Sequence, residues 1–295
     1  MNMPFSSQIA IDYMINAPCN LKCPFCYGPN PKMRGELKLQ QKITLAKNLK
    51  SNNIERIVIA GGEPLLCKDM YGFCEFAHSI GLNLGLQTNA FFKDKLEAIL
   101  PFLDWVAFPL DGISPAAQLK MRTSDEHLKF FLEALELVKA YRLKNATGSP
   151  KIKVGTVLSK YNITEVGEMA KIISSNDISV WKWYKLRERG KATEIFDEFS
   201  VSDDIVKNLF KEIKSQFPSL NIYYSTDNVV TDSYVIIDPD SSTYVIKGRG
   251  QQQFGRLITE TGAFDAGVWA AITAFTDFKA MAGNIQQSFP NWNPQ

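Results

Sequence analysis

The sequence predicts an α/β protein whose parallel sheet curves into a (β/α) barrel. Three observations carry this expectation. Short apolar runs alternate with helix-length amphipathic stretches six times in succession, the links between them are short, and glycine, cysteine or polar residues gather at the ends of the apolar runs. Parallel strands need a crossover to bring the chain back, and a helix supplies it.

The first strand is expected over 8–15, from Ile9-Ala-Ile-Asp-Tyr-Met-Ile15, and a helix over 37–51 carries Leu39, Ile43, Leu45 and Leu49 on one stripe. Strand two, 56–60, runs into Gly61-Gly62-Glu63-Pro64, and helix 69–80 stops at Gly81, a C-cap residue. Strand three, 83–88, ends in Gln87-Thr88-Asn89; helix 93–100 follows, and strand four, 105–110, ends in Asp111-Gly112. One helix over 123–141 presents Leu128, Phe131, Leu132, Leu135 and Val138, and 145–150 is a turn-rich loop. Strand five is 151–158, helix 164–174 has Thr164 as its N-cap, and strand six is 180–186.

After 190 the repeat breaks. A helix over 203–217, short strands over 221–225, 234–237 and 243–247 with a hairpin turn at Asp238-Pro-Asp-Ser-Ser, a helix over 266–281 and a polar tail over 286–295 are expected. Residues 1–190 therefore read as the core and 191–295 as a small α+β cap over the barrel opening.

With 295 residues, 45% of them hydrophobic, the chain can bury one substantial core. A net charge of +2 creates no basic field, so no nucleic acid polymer is expected, although Lys182, Lys185, Arg187, Arg189 and Lys191 form a local basic stretch able to hold a phosphate. No apolar run is long enough to cross a bilayer and the first five residues do not look like a signal peptide, so the expected location is the cytoplasm.

Cys19, Cys23 and Cys26 put three thiols on one loop. Thiolates select iron–sulfur clusters, zinc or cuprous copper, and a four-iron cluster wants four such ligands, so three leave one iron open. A structural zinc site would need a fourth ligand, with His78, Cys67 or Cys74 as the candidates. Otherwise Cys67 and Cys74 read as packed core thiols, and His78 and His127 fall in expected helices away from the strand ends. The Gly61-Gly62 pair reads as backbone that must approach a ligand closely.

Cys-x3-Cys-x2-Cys with Phe25 before the last cysteine, followed by Gly-Gly-Glu-Pro after the next strand, resembles the signature of the radical S-adenosylmethionine (SAM) enzymes. That resemblance implies a partial (β/α)6 barrel, a [4Fe-4S] cluster on Cys19, Cys23 and Cys26, and SAM chelating the fourth iron. It implies reductive cleavage of SAM to a 5'-deoxyadenosyl radical that takes hydrogen from a small-molecule substrate, with electrons from a flavodoxin- or ferredoxin-type donor. It also implies cofactor contacts at Phe25, Tyr27, Gly61, Gly62, Glu63, Pro64, Thr88, Asn89, Asp111, Arg122 and Thr156. Arg122 looks like the partner of the SAM carboxylate, and reads equally as a surface arginine. Thr88, Asn89 and Thr156 read equally as capping or loop residues.

Within that family the second half resembles the viperin-like branch, which makes 3'-deoxy-3',4'-didehydro nucleotides. The likeness rests on the run from Lys153 to Asn162, on Trp181-Lys182, and on Asp232-Ser-Tyr-Val-Ile-Ile-Asp238. It implies substrate contacts at Lys153, Lys182 and Tyr234. Two departures stand out: Asp12 occupies a position where that branch has asparagine, and Asn-Val-Val-Thr precedes Asp232 where it has lysines. A carboxylate facing a triphosphate repels it, so Asp12 also admits a sugar, amino-acid or amine substrate, as in natural-product or peptide modification. Trp181, Trp183 and Tyr184 read as core and wall.

Overall fold

A computed structural model describes residues 9–29, 35–188, 191–225, 233–248 and 250–288. Met1–Phe5, Arg189, Gly190, the 228–231 segment, Asp232 and the last residues of the polar tail lie outside them, so expectations on those positions are not addressed.

Six strands, β1 (Ala10–Met14), β2 (Arg56–Ala60), β3 (Asn83–Gln87), β4 (Trp105–Pro109), β5 (Lys151–Leu158) and β6 (Val180–Lys185), pair in chain order and all in parallel. Between them run α1 (Leu39–Ser51), α2 (Met70–Ser79), α3 (Lys93–Ile99), α4 (Pro115–Arg122), α5 (His127–Asn145) and α6 (Val166–Ser174). The second segment supplies α7 (Ala192–Phe199), α8 (Asp203–Gln216), β7 (Ile222–Ser225), β8 (Val235–Ile237), β9 (Ser242–Lys247), β10 (Gly250–Arg256), α9 (Ala266–Phe275) and α10 (Phe278–Ser288).

The strands after 190 enter the same sheet. β7 adds in parallel to β6 and β8 in parallel to β1, while β9 and β10 continue antiparallel from β8, giving the order β10-β9-β8-β1-β2-β3-β4-β5-β6-β7. The sheet is strongly curved: Lys182 on β6 donates to the hydroxyl of Tyr234, just before β8, at 3.3 Å, although five strands separate β6 from β8 in the sheet order.

Alternation along the strands produces two unlike faces. Ile11, Tyr13, Ile57, Ile59, Trp181 and Trp183 are buried on the convex side under the helices, Tyr13 edge-on to Phe73 of α2 at 5.6 Å and Trp183 edge-on to Phe210 of α8 at 5.6 Å. On the concave side Asp12, Gln87, Ala107, Pro109, Gly155 and Val157 stay partly accessible. The barrel interior is thus a chamber rather than a packed core, with an apolar wall of Met14, Ala60, Ile236, Tyr244 and Ile246.

Three expectations are corrected, and two elements join those expected. The helix expected over 123–141 runs over His127–Asn145, and a separate helix precedes it: Ser114 caps Ala117 N–H at 3.2 Å, Pro115 starts α4, and Thr123 takes a left-handed φ of 57° that ends it. Thr164 is not the α6 N-cap: it lies in a 3-10 turn, Ile163–Glu165, and Glu165 fills the cap position. The helix expected over 266–281 breaks at Thr276, which is extended, and Asp277 accepts from Ala280 N–H at 2.9 Å to open the next one. Finally, β10 and α7 form where a polar, glycine-flanked run and a post-loop segment gave no strong periodicity.

Asn162 ties the ends of β4 and β5 together. Its Nδ2 donates to Asp111 O at 3.0 Å and to Val157 O at 2.9 Å, and its Oδ1 accepts from Ser159 N–H at 2.9 Å, all within a fully buried side chain. Asn162→Ala leaves these buried groups without partners, and a loss of about 3 kcal/mol is expected. A shift in the urea midpoint checks it; an unchanged midpoint would show that Asn162 is dispensable.

Candidate active site

The two motifs of the sequence form one unit. Gly62 N–H donates to Asn16 O at 2.9 Å, Glu63 N–H to Pro18 O at 2.7 Å, and Asn16 Nδ2 to Glu63 O at 2.8 Å. The segment after β2 is therefore bonded along the start of the cysteine loop after β1. A Cβ on Gly62 would lie 2.2 Å from Ala17 O and 2.3 Å from Pro18 O, and one on Gly61 2.6 Å from Asn16 O. The neighbouring backbone therefore by itself demands glycine at both positions.

The Glu63 carboxylate is a buried hub. Oε1 accepts from Leu65 N–H at 3.0 Å and Thr88 Oγ1 at 2.7 Å, and Oε2 accepts from Asn89 N–H at 2.8 Å. Burial raises its pKa, and these donors work in the opposite direction. Pro64 opens the short turn that follows. Thr88 is thus spent on Glu63, whereas Asn89 reaches further: its Nδ2 donates to Asn20 Oδ1 at 2.7 Å and lies 3.9 Å from Cys19 Sγ.

Each cysteine sulfur has identifiable neighbours. Cys19 Sγ accepts from Leu21 N–H at 3.4 Å, and Cys23 Sγ faces Arg122 Nη1 at 3.8 Å. A Cβ on Gly28 would lie 3.9 Å from Cys26 Sγ. Cys19 and Cys26 are exposed and Cys23 is buried. Among the described residues no three His, Cys, Asp or Glu side chains converge to grip a single ion. A four-iron cluster on three thiolates is anionic. N–H donors and a guanidinium around three thiols from one loop suit that anionic, thiolate-bound group. The fourth zinc ligands considered from sequence are engaged elsewhere: Cys67 with Lys42 at 3.3 Å, Cys74 in the buried face of α2, and His78 tilted against Phe102 at 5.9 Å.

Arg122 is not a surface arginine. It is ion-paired with the fully buried Asp111 and lies 5.4 Å over the Phe25 ring. Burial opposes its charge, but Asp111 and Cys23 outweigh that and raise its pKa. Asp111 Oδ1 accepts from Val157 N–H at 2.6 Å, so this carboxylate positions the guanidinium. The break after α4 brings Arg122 here, and Lys22 N–H donates to Thr123 Oγ1 at 3.1 Å to fasten the cysteine loop to the same turn. His127, set aside from sequence as remote from the strand ends, is buried against Phe91 at 5.9 Å; burial, with Arg122 nearby, lowers its pKa to about 3. Thr156 is corrected as a cofactor contact: its hydroxyl donates to Leu110 O at 2.7 Å and accepts from Trp181 Nε1 at 2.8 Å on the helix side of the sheet.

In the chamber, Asp12, Lys153 and Lys182 form one electrostatic group. Burial raises the Asp12 pKa to about 6 against the pull of Lys153 and Lys182, and burial lowers that of Lys153 to about 8 against the pull of Asp12. Lys182 is lowered by burial and by Lys153, and lies over the rings of Tyr184 at 5.0 Å, Tyr223 at 5.3 Å and Tyr234 at 6.0 Å. Tyr27, half exposed beside Cys26, is close enough to Tyr184 to oppose its ionisation. Tyr184, read as wall together with the tryptophans, faces the chamber. Its spacing of two from Lys182 was the available signal. Asn16, Asn20 and Tyr223 were also missed; only Asn16 and Asn20, polar residues beside the cysteines, carried a local cue.

A Gly62→Ala Cβ must push the cysteine loop away. Anaerobically reconstituted Gly62→Ala protein is expected to hold less iron per chain and to unfold at lower temperature. Wild-type iron content would show the contact to be unimportant.

Residues 15–173 match the Radical SAM superfamily. An S-adenosylmethionine-dependent nucleotide dehydratase from Flammeovirga pacifica is 22% identical over 267 residues, 86% of this chain and 87% of that protein. Its counterpart from Lacinutrix mariniflava is 22% identical over 278 residues, 87% of this chain, which spans about half (54%) of that longer protein. Among solved structures, Streptococcus suis SuiB bound to S-adenosylmethionine superposes with a TM-score of 0.69 at 15% identity, covering 93% of this chain and 67% of that one. With the start of a three-cysteine loop bonded to a Gly-Gly-Glu segment at the mouth of a curved parallel sheet, the chain belongs to the radical SAM superfamily and is a radical SAM enzyme using a [4Fe-4S] cluster and SAM.

Proposed function

We propose that this enzyme acts on a nucleotide, removing water from a nucleoside triphosphate to give a 3'-deoxy-3',4'-didehydro product. The observation that carries this reading is a pair of inward-facing lysines, Lys153 and Lys182, on neighbouring strands of the accessible chamber. The names of the relatives support the same class. When bound, the cluster and SAM supply a 5'-deoxyadenosyl radical.

The chain's own residues divide the remaining work. Lys153 and Lys182 bind phosphate, and Tyr234, which already accepts from Lys182, orients the substrate from the second segment. Arg122 takes the SAM carboxylate, Gly62 and Glu63 its amino group, and the backbone at Tyr27 its adenine. Asn89 braces the loop at Cys19. The 191–295 segment closes the open side of the chamber. Electrons arrive from a flavodoxin- or ferredoxin-type donor, and the cytoplasm provides the reducing conditions that cluster thiolates need.

A second reading comes from Asp12. Its carboxylate lies in the electrostatic range of both lysines and lessens their net positive charge, which favours a substrate presenting a hydroxyl or amine, such as a sugar or a peptide.

Reduced, reconstituted enzyme incubated with SAM and each nucleoside triphosphate separates the two. One nucleotide is expected to stimulate 5'-deoxyadenosine release and to yield the didehydro product, and Lys153→Ala or Lys182→Ala to raise KM by about 10–100-fold. Indifference to every nucleotide would sink the first reading.

Asp12 also predicts a pH signature. Its native pKa of about 6 lies above the ordinary 3.8, so between those values the folded state binds more protons than the unfolded one. Stability therefore falls as pH rises through that window. Asp12→Asn should remove this slope from urea midpoints measured at successive pH values. A slope unchanged in the variant would place Asp12 outside the buried group.

A further inference from the structure

Behind β1, on the face away from the chamber, Lys42 of α1 turns into the protein. Its side chain is 2% exposed, and Nζ lies 3.3 Å from Cys67 Sγ and 3.0 Å from Asp69 Oδ2. Cys67 is buried in the short connection between Glu63 and α2. A third group lies within electrostatic range of Cys67 and Asp69. Tyr13 is fully buried, its hydroxyl has no partner among the described residues, and burial and then the charges of Cys67, Glu36 and Asp69 oppose its ionisation. A buried hydroxyl without a partner is costly and points to a polar atom that completes the site.

We propose that Lys42 and Cys67 form a modification site: dioxygen joins them through a single bridging oxygen, Cys67 Sγ–O–Nζ Lys42. The lysine nitrogen reacts through its lone pair, the ammonium's extra proton leaving to solvent past the partly exposed Asp69. The thiol then loses its hydrogen and the amine one N–H hydrogen. One atom of dioxygen becomes the bridge and the other leaves as water with both hydrogens. Sulfur and nitrogen are each oxidised by two electrons, and dioxygen is reduced by four. One bridging atom spans the existing 3.3 Å gap with a smaller displacement than a direct S–N bond requires. Cys74 is the contrasting thiol: burial raises its pKa, and no lysine bonds to it among the described residues. The product would tether α1 to the turn that follows Glu63, stiffening the segment bonded to the cysteine loop. The inference is independent of what the chamber binds.

The test uses anaerobically reconstituted protein, half of it then exposed to air, with both halves alkylated, digested and analysed by mass spectrometry. The expected result is a linked peptide pair containing Lys42 and Cys67, heavier than the two separate peptides by one oxygen and lighter by two hydrogens, in the aerated half alone. Excess dithiothreitol should dissolve it, two molecules supplying four electrons and water leaving, and Cys67→Ser protein should never form it. Full alkylation of Cys67 after aeration, a Cys67–Cys74 disulfide, or oxidation of Cys67 with Lys42 unmodified would each overturn the proposal.

Discussion

The site depends on a backbone contact. Gly61, Gly62 and Glu63 lie against Asn16, Ala17 and Pro18 so closely that a single methyl group would overlap a carbonyl oxygen. Because the two segments leave adjacent parallel strands, their spacing is set by the sheet, and the hydrogen bonds then fix the height of the cysteine loop. The Glu63 carboxylate extends the same brace to the end of β3, and Asp111 with Arg122 extends it from β4 and α4. Four strand ends thereby hold one loop, so three thiols sit on a rigid rim.

Beneath that rim the barrel is open. A closed eight-stranded barrel fills its interior with layers of branched side chains. Here the inward positions include Ala60, Ala107 and Gly155, which are too small to do so, and the charged Asp12, Lys153 and Lys182. Burying such charges is tolerable because they offset one another and because three tyrosine rings face the Lys182 ammonium. Burial shifts Asp12 and Lys153 toward neutrality against their mutual attraction, so the group is ready to change protonation when a charged ligand enters.

Much of this was legible in the chain. The strand periods marked β2 and β5 to the residue and the other core strands to within one or two positions, because apolar β-branched runs between turn residues have few other uses. The cysteine spacing marked the loop, since thiolates at such intervals serve one centre. Helix α4 was not read from the sequence because its eight residues carry little apolar period and Thr123 ends it through a backbone angle that leaves no hydrophobic mark. Arg122 consequently read as ambiguous, and His127 as remote.

By itself the sequence determined the alternation of strands and helices, the three-thiol loop and the glycine pair, all of which rest on local chemistry and period. Tertiary structure alone decided what those glycines touch, which way Thr156 and Tyr184 face, and that Asp12, Lys153 and Lys182, distant along the chain, share one electrostatic environment. The reason is that strand alternation gives a face but not its neighbours. Only sheet order and curvature bring β1, β5, β6 and the segment before β8 around the same space.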